Sequence, residues 1–437
     1  AFATDDLAAL STSAIRALTS DALGALDSAQ IGVLTNAQVA ALSTAQIASL
    51  GTDDFNALTS SQFAVLTSAQ AAAITSTQAD AFATDDLAAL STAATRALST
   101  DALSVLDTAQ FGALSNNQVA ALSSRQISSL ASDDLNALTT AQFAALTSAQ
   151  VAAITADQAD AMATDDLAAI STAAIRALST DALAALDSTQ LPNLTNAQVA
   201  ALTSRQIASL DQADLNALTT AQYAALTSAQ VAAFTTAQAD VLATDDLAAI
   251  SVSAMRGLST ANLATLDTAQ FDALTTAQFT ALTSGQAAGL TSAQTDVIGS
   301  DDLRALTSAA IRALTSDALA ALDSAQIGAL TNAQVAALAT SQVASLSSDD
   351  LNALTTAQFA ALTSAQVAAI TATQADAMAT DDLAAISTGA IRGLSTDALA
   401  ALDSAQLGVL TTAQVAALTS RQIASLDQTD LNALTTA

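Results

Sequence analysis

Large apolar residues return at every eighth position. Starting at Phe2, the frame runs Leu10, Leu18, Leu26, Leu34 and onward without a slip to Leu418, Leu426 and Leu434. Each of the 55 frame positions is Leu, Ile, Met or Phe. A second large apolar residue usually stands at position 6. Position 2 is usually Ser, Thr or Asp, position 4 often Ala, and position 5 usually Gln or Asp. The consensus L-[ST]-x-A-[QD]-[VILF]-A-A is met by LTTAQFAA, residues 354–361.

An eight-residue period does not suit one continuous helix. Eight residues advance about 800°, so an apolar stripe would drift by about 80° per octad around the helix. A strand puts positions 1 and 6 on opposite faces, and Ala, Gln, Leu and Asp are poor strand formers beside Val, Ile and Thr. A helix that restarts in every octad fits better. Position 2 supplies a preferred N-cap side chain. Position 5, three residues later, supplies the Gln of a capping box, and positions 1 and 6 form the apolar pair of a hydrophobic staple. Leu34, Thr35, Gln38 and Val39 make a complete set, as do Leu146, Thr147, Gln150 and Val151. The STAAIRA and STDALAA octads lack the Gln, and the ATDDLAA octads lack the usual cap.

Helices of one to two turns are unstable alone because nucleation is costly. Each octad therefore has to pack on others along the array. The expected fold is all-α: a solenoid or superhelix of short helices, one per octad. Pro192 at position 7 suits this reading, since it removes a helix bond where a short helix already ends.

A longer repeat lies over the octad. ATDDLAA recurs at Ala3, Ala83, Ala163, Ala243 and Ala379. Units of 80 residues start near residues 2, 82 and 162; a unit of 56 residues starts near 242, and further units start near 298 and 378. The 24 residues missing from the short unit are a whole number of octads, so the octad is the structural step. Residues 1–437 read as a single continuous array. It begins at position 8 of one octad and stops at position 4 of another, which suggests a window onto a longer chain.

Composition narrows the chemistry. The chain is 52% apolar and 11% charged, with 40 acidic residues, all Asp, against 10 basic residues, all Arg, for a net charge of −30. It has no His, Cys or Trp. Zinc fingers, thiol nucleophiles, Ser-His-Asp triads and disulfide frameworks are thereby excluded. The charge opposes nucleic-acid binding and attraction to an anionic membrane surface. No apolar run approaches the length of a membrane span, so membrane insertion is not expected.

Adjacent Asp residues recur, and calcium is the one candidate cofactor they suggest. The pairs in the ATDDLAA octads are Asp5 and Asp6, Asp85 and Asp86, Asp165 and Asp166, Asp245 and Asp246, and Asp381 and Asp382. Their ordinary reading is complementarity with the helix dipole in the first turn. Arginines also follow the period: Arg16, Arg96, Arg176, Arg256, Arg304, Arg312 and Arg392 at position 7, and Arg125, Arg205 and Arg421 at position 4. They are expected to bridge to Asp on an adjacent turn or chain. The Ser and Thr pattern at positions 2 and 3 raises ice binding as a third reading, though capping already explains position 2. No catalytic residues are expected, because the carboxylates repeat with no distinct pocket sequence around them.

The octads LTTAQVAAL and LTSAQVAAI resemble the Ala/Thr-rich repeats of giant secreted surface proteins of Gram-negative bacteria, described as adhesins or haem-utilisation proteins. The resemblance spans the chain. It implies export to the cell surface or to extracellular fibres, with no binding residues to carry over. The opening LTxxQVxAI is also similar to the start of a TAL-effector DNA-binding repeat, but the rest of that repeat is missing and the charge is of the wrong sign. The expected function is a non-enzymatic structural element: an extracellular filament, stalk or surface coat that associates with itself and possesses contacts to cell-surface or matrix components. The alternative is a calcium-dependent adhesive module.

Overall fold

The computed structural model describes residues 3–434. It divides into two compact units, Ala1–Leu218 and Thr219–Ala437, each built in the same way. Among the described residues there are 52 short α-helices, two 3-10 turns and no strand. The α-helices are four to seven residues long and follow the octad, as in Asn36–Ala41, Thr44–Ser49 and Thr52–Asn56.

The octad explains how each helix starts and stops. Thr35 is extended (φ −69°, ψ 155°) and its hydroxyl accepts a hydrogen bond from the Gln38 amide at 3.3 Å. Gln38 returns the bond by accepting from the Thr35 backbone N–H at 2.7 Å. The helix runs for six residues and ends at Leu42, which is again extended and donates its N–H to the Val39 carbonyl at 3.1 Å. Leu42 is thus the C-cap of one helix and the residue before the N-cap of the next. A large apolar residue at position 1 buries the corner between two helices; Leu42 is buried there, as Leu34 is one octad earlier.

Two octads depart from the α pattern. Pro192 has no N–H to donate, and its octad forms only a 3-10 turn, Leu191–Asn193. The octad carrying Gly389 ends in the 3-10 turn Ile391–Gly393. Gly389 sits where the first helical turn would form, a position at which glycine's freedom weakens the helix.

Packing follows a regular interval. In the first unit, Thr12–Ala17 packs on Asn36–Ala41, the third helix along; in the second, Ser284–Ala287 packs on Ser308–Ala313 in the same relation. Within each unit the core is lined by positions 1 and 6. Phe55, Phe63 and Phe82 form one aromatic cluster, with ring centroids 5.1 to 5.5 Å apart. Phe271 and Phe279 meet edge to face at 5.4 Å.

Candidate functional site

Glutamine fills position 5 in most octads, and the structure gives it a task that the octad alone does not reveal. Gln38 is 1% exposed. With its Oε1 occupied by the capping box, its Nε2 donates to the Leu7 carbonyl at 2.9 Å and the Leu10 carbonyl at 2.8 Å. Those carbonyls lie 31 and 28 residues earlier, at the C-terminal end of Thr4–Ala9, where a helix's last carbonyls need donors. Gln46, Gln70, Gln78, Gln198, Gln334 and Gln366 repeat the bond pair at the same two separations. One buried amide therefore starts its own helix and caps the end of an earlier one. Since helices pack on the third along and these amides reach the fourth back, a turn of the solenoid takes between three and four octads. Asn262 is shorter and makes a single such bond, to the Phe234 carbonyl at 2.7 Å.

The Asp pairs divide between two environments. The first residue of each pair, at position 4, is exposed: Asp5, Asp85, Asp165, Asp245 and Asp381. The second occupies the glutamine position. Asp86, Asp166, Asp246 and Asp382 are buried there, whereas Asp6 is exposed. Among the described residues no group of three or more acidic side chains is gathered as a metal site would require. Burial pushes the Asp86 and Asp166 carboxyls up; hydrogen bonds from Ser60 and Thr140 oppose this, and the neighbouring Asp85 and Asp165 add to it. Asp246 is raised by burial and then by Asp245. Asp382 is pushed up to about 6, by burial first and the adjacent Asp381 second. The Ser60 hydroxyl donates to Asp86 at 2.8 Å, 26 residues away. An ionised carboxylate cannot donate to carbonyls as glutamine does. These octads therefore interrupt the amide ladder with groups that titrate.

Among the described residues no arginine is paired with an Asp of its own chain. Instead, three position-7 guanidiniums donate to a backbone carbonyl 25 residues further on: Arg96 to Ala121, Arg312 to Ala337 and Arg392 to Ala417, at 3.4, 3.3 and 3.0 Å. Each acceptor is the last residue of its helix, where a cation also complements the dipole. On the neighbouring turn these three arginines meet a helix end in place of an Asp.

Tyr223 is buried in the core, and its hydroxyl is pushed well above its usual range, by burial first and by Asp246 second. Among the described residues no helix is long and apolar enough to cross a membrane.

Short capped helices, joined by extended corners and tied to earlier turns by the same amide, define a helical repeat solenoid. The chain belongs to the ALTTAQ repeat family, whose pattern matches residues 1–36, 34–68, 79–116, 127–164, 160–196, 207–244, 239–276, 296–332, 343–380 and 375–412. No curated protein matches the chain.

Proposed function

We propose that this array is a non-enzymatic structural element of a bacterial cell surface or extracellular fibre, acting as a filament, stalk or coat and associating with itself. The observation that carries this reading is the amide ladder. Nearly identical bonds tie octad after octad to an earlier turn, so mechanical connection is distributed along the chain instead of being centred on one site. The exposed acidic side chains favour solubility of an Ala-rich surface.

Electron microscopy of material purified from its source, before any refolding, tests the proposal. Filaments or sheets with a regular axial repeat support self-association. Isolated rods at all concentrations would leave only a spacer role and remove the self-association from the proposal. The alternative adhesive reading, with calcium shared by the Asp pairs, predicts loss of assembly or of helical signal on chelation. The exposed position-4 carboxylates are its one structural support.

A further inference from the structure

Ten arginines stand against 40 aspartates, yet six of the ten are arranged in matching pairs. Arg96 and Arg125, Arg176 and Arg205, and Arg392 and Arg421 are each 29 residues apart, position 7 of one octad and position 4 of the fourth octad along. In each pair the second arginine lies on a helix that packs on the one following the first arginine: Ser124–Ser129 on Thr100–Leu103, Ser204–Ser209 on Thr180–Ala184, and Ser420–Ile423 on Thr396–Ala400. The other position-7 arginines, Arg16, Arg256, Arg304 and Arg312, have Ala45, Gly285, Ala333 and Ser341 at the matching place.

Arg176 and Arg205 line one open cleft of about 390 Å³ with Leu178, Ser179, Thr180, Thr203 and Gln206. No residue lining it is acidic. Among the described residues neither guanidinium is held by an ion pair or a hydrogen bond. The Ser179 oxygen accepts from the Ala182 N–H, which leaves its own proton free to donate. Thr180 adds a second hydroxyl. The cleft therefore presents two cations and two hydroxyl donors, and its neighbours do not neutralise them.

We propose that the Arg176 and Arg205 cleft binds a tetrahedral oxyanion, a phosphate or sulfate group; at the other two pairs Arg96 and Arg392 are already engaged by the Ala121 and Ala417 carbonyls. A carboxylate is satisfied by the fork of one guanidinium. Two guanidiniums on successive turns suit an anion with more oxygens and a second negative charge. A net charge of −30 repels anions in general, so binding in this cleft requires local donors; screening over about 10 Å at 0.1 M salt confines that repulsion.

Nuclear magnetic resonance of the full chain, labelled with 15N at arginine, tests this in Tris-chloride buffer. Inorganic phosphate, inorganic sulfate and acetate are titrated separately. The expected result is a saturable shift of the Nε–H signals of Arg176 and Arg205 with phosphate, sulfate or both, and none for Arg256 and Arg304. Preference between phosphate and sulfate identifies which group the site takes. Arg176→Lys keeps the charge but loses the fork and should raise the Kd by about tenfold, as the loss of one charge-assisted bond predicts. Arg256→Gln should leave binding unchanged. Equal, unsaturated shifts at all ten arginines, no shift at either cleft arginine, or acetate binding as tightly as the tetrahedral anions would each overturn the proposal.

Discussion

The side-chain amide of Gln150 lies 2.6 Å from the carbonyl oxygen of Val119, 31 residues earlier, and 2.9 Å from that of Leu122. At the same time its Oε1 accepts from the Thr147 backbone N–H and from the Thr147 hydroxyl, at 2.8 and 2.9 Å. Both polar atoms of this buried side chain are engaged, Oε1 by two bonds at the start of its own helix and Nε2 by two bonds to an earlier one. Removing only the donor half is therefore informative. Gln150→Glu preserves the acceptor but sets a carboxylate against two carbonyls. It should destabilise the adjoining turns by roughly 3 kcal/mol at neutral pH, the order expected for buried groups left unsatisfied. Hydrogen exchange should quicken in residues 114–121 and 146–153 while distant octads keep their protection. Unchanged exchange there would show that the amide contributes little.

Asp382 should make stability depend on pH. Its folded carboxyl titrates near 6 against 3.8 for a free side chain, because burial disfavours its charge. The folded chain holds this proton more tightly than the unfolded chain. The stabilisation it gives is complete below about pH 4 and is lost as pH rises through about 6. Local protection near Asp382 should increase when pH is lowered from 7 to 5, after correction for intrinsic exchange. Asp382→Asn should be more stable at pH 7 and should flatten this dependence; an unaltered slope in the variant would assign it elsewhere.

Two glycines should respond oppositely to alanine. A Cβ on Gly393 would lie 2.1 Å from the Ser364 carbonyl oxygen on an adjacent turn, so the turns must separate to admit it. Gly393→Ala is expected to lower stability. A Cβ on Gly112 meets nothing within 4 Å, inside the helix Thr108–Ala113. Gly112→Ala should gain about 0.5–1 kcal/mol from reduced backbone freedom in the unfolded chain. Chemical denaturation of both variants, read locally by exchange, separates the two effects.

Phe63 sits fully buried between Phe55 and Phe82. Phe63→Ala should cost about 3–5 kcal/mol through lost burial and the cavity left behind. Ala71, one octad later, already occupies position 6 with a small side chain. Phe63→Leu should cost much less. Similar losses for both variants would mean that ring contacts outweigh volume in this part of the core.

Much of the fold is legible locally. Thr35, Gln38 and the spacing of Leu34 to Val39 announce where a helix starts, because a capping box acts within four residues. The octad's phase also identifies positions 1 and 6 as core. The burial of Gln38 and its reach to Leu7 and Leu10 are not legible, since they depend on which octads become neighbours in space. The same limit applies to Arg96: its period is visible in the chain, but its acceptor, Ala121, is reached only after a full turn. Equally, the adjacent Asp letters read as pairs, yet Asp85 faces solvent while Asp86 is buried. The missing glutamine in the ATDDLAA octads is the sequence feature that marks the second Asp of each as an occupant of the ladder position.

The amide ladder also determines how the chain would yield to a pull along its length. Each clasp is a pair of modest bonds joining residues about 28 apart, so a turn can open without dismantling those further along. Opening one such span releases up to roughly 100 Å of extended chain. Under load the array would lengthen in similar steps, dissipating work at each, and would reclose when slack because the capping boxes restart every helix from within its own octad. A chain built this way would meet a sudden strain by extending.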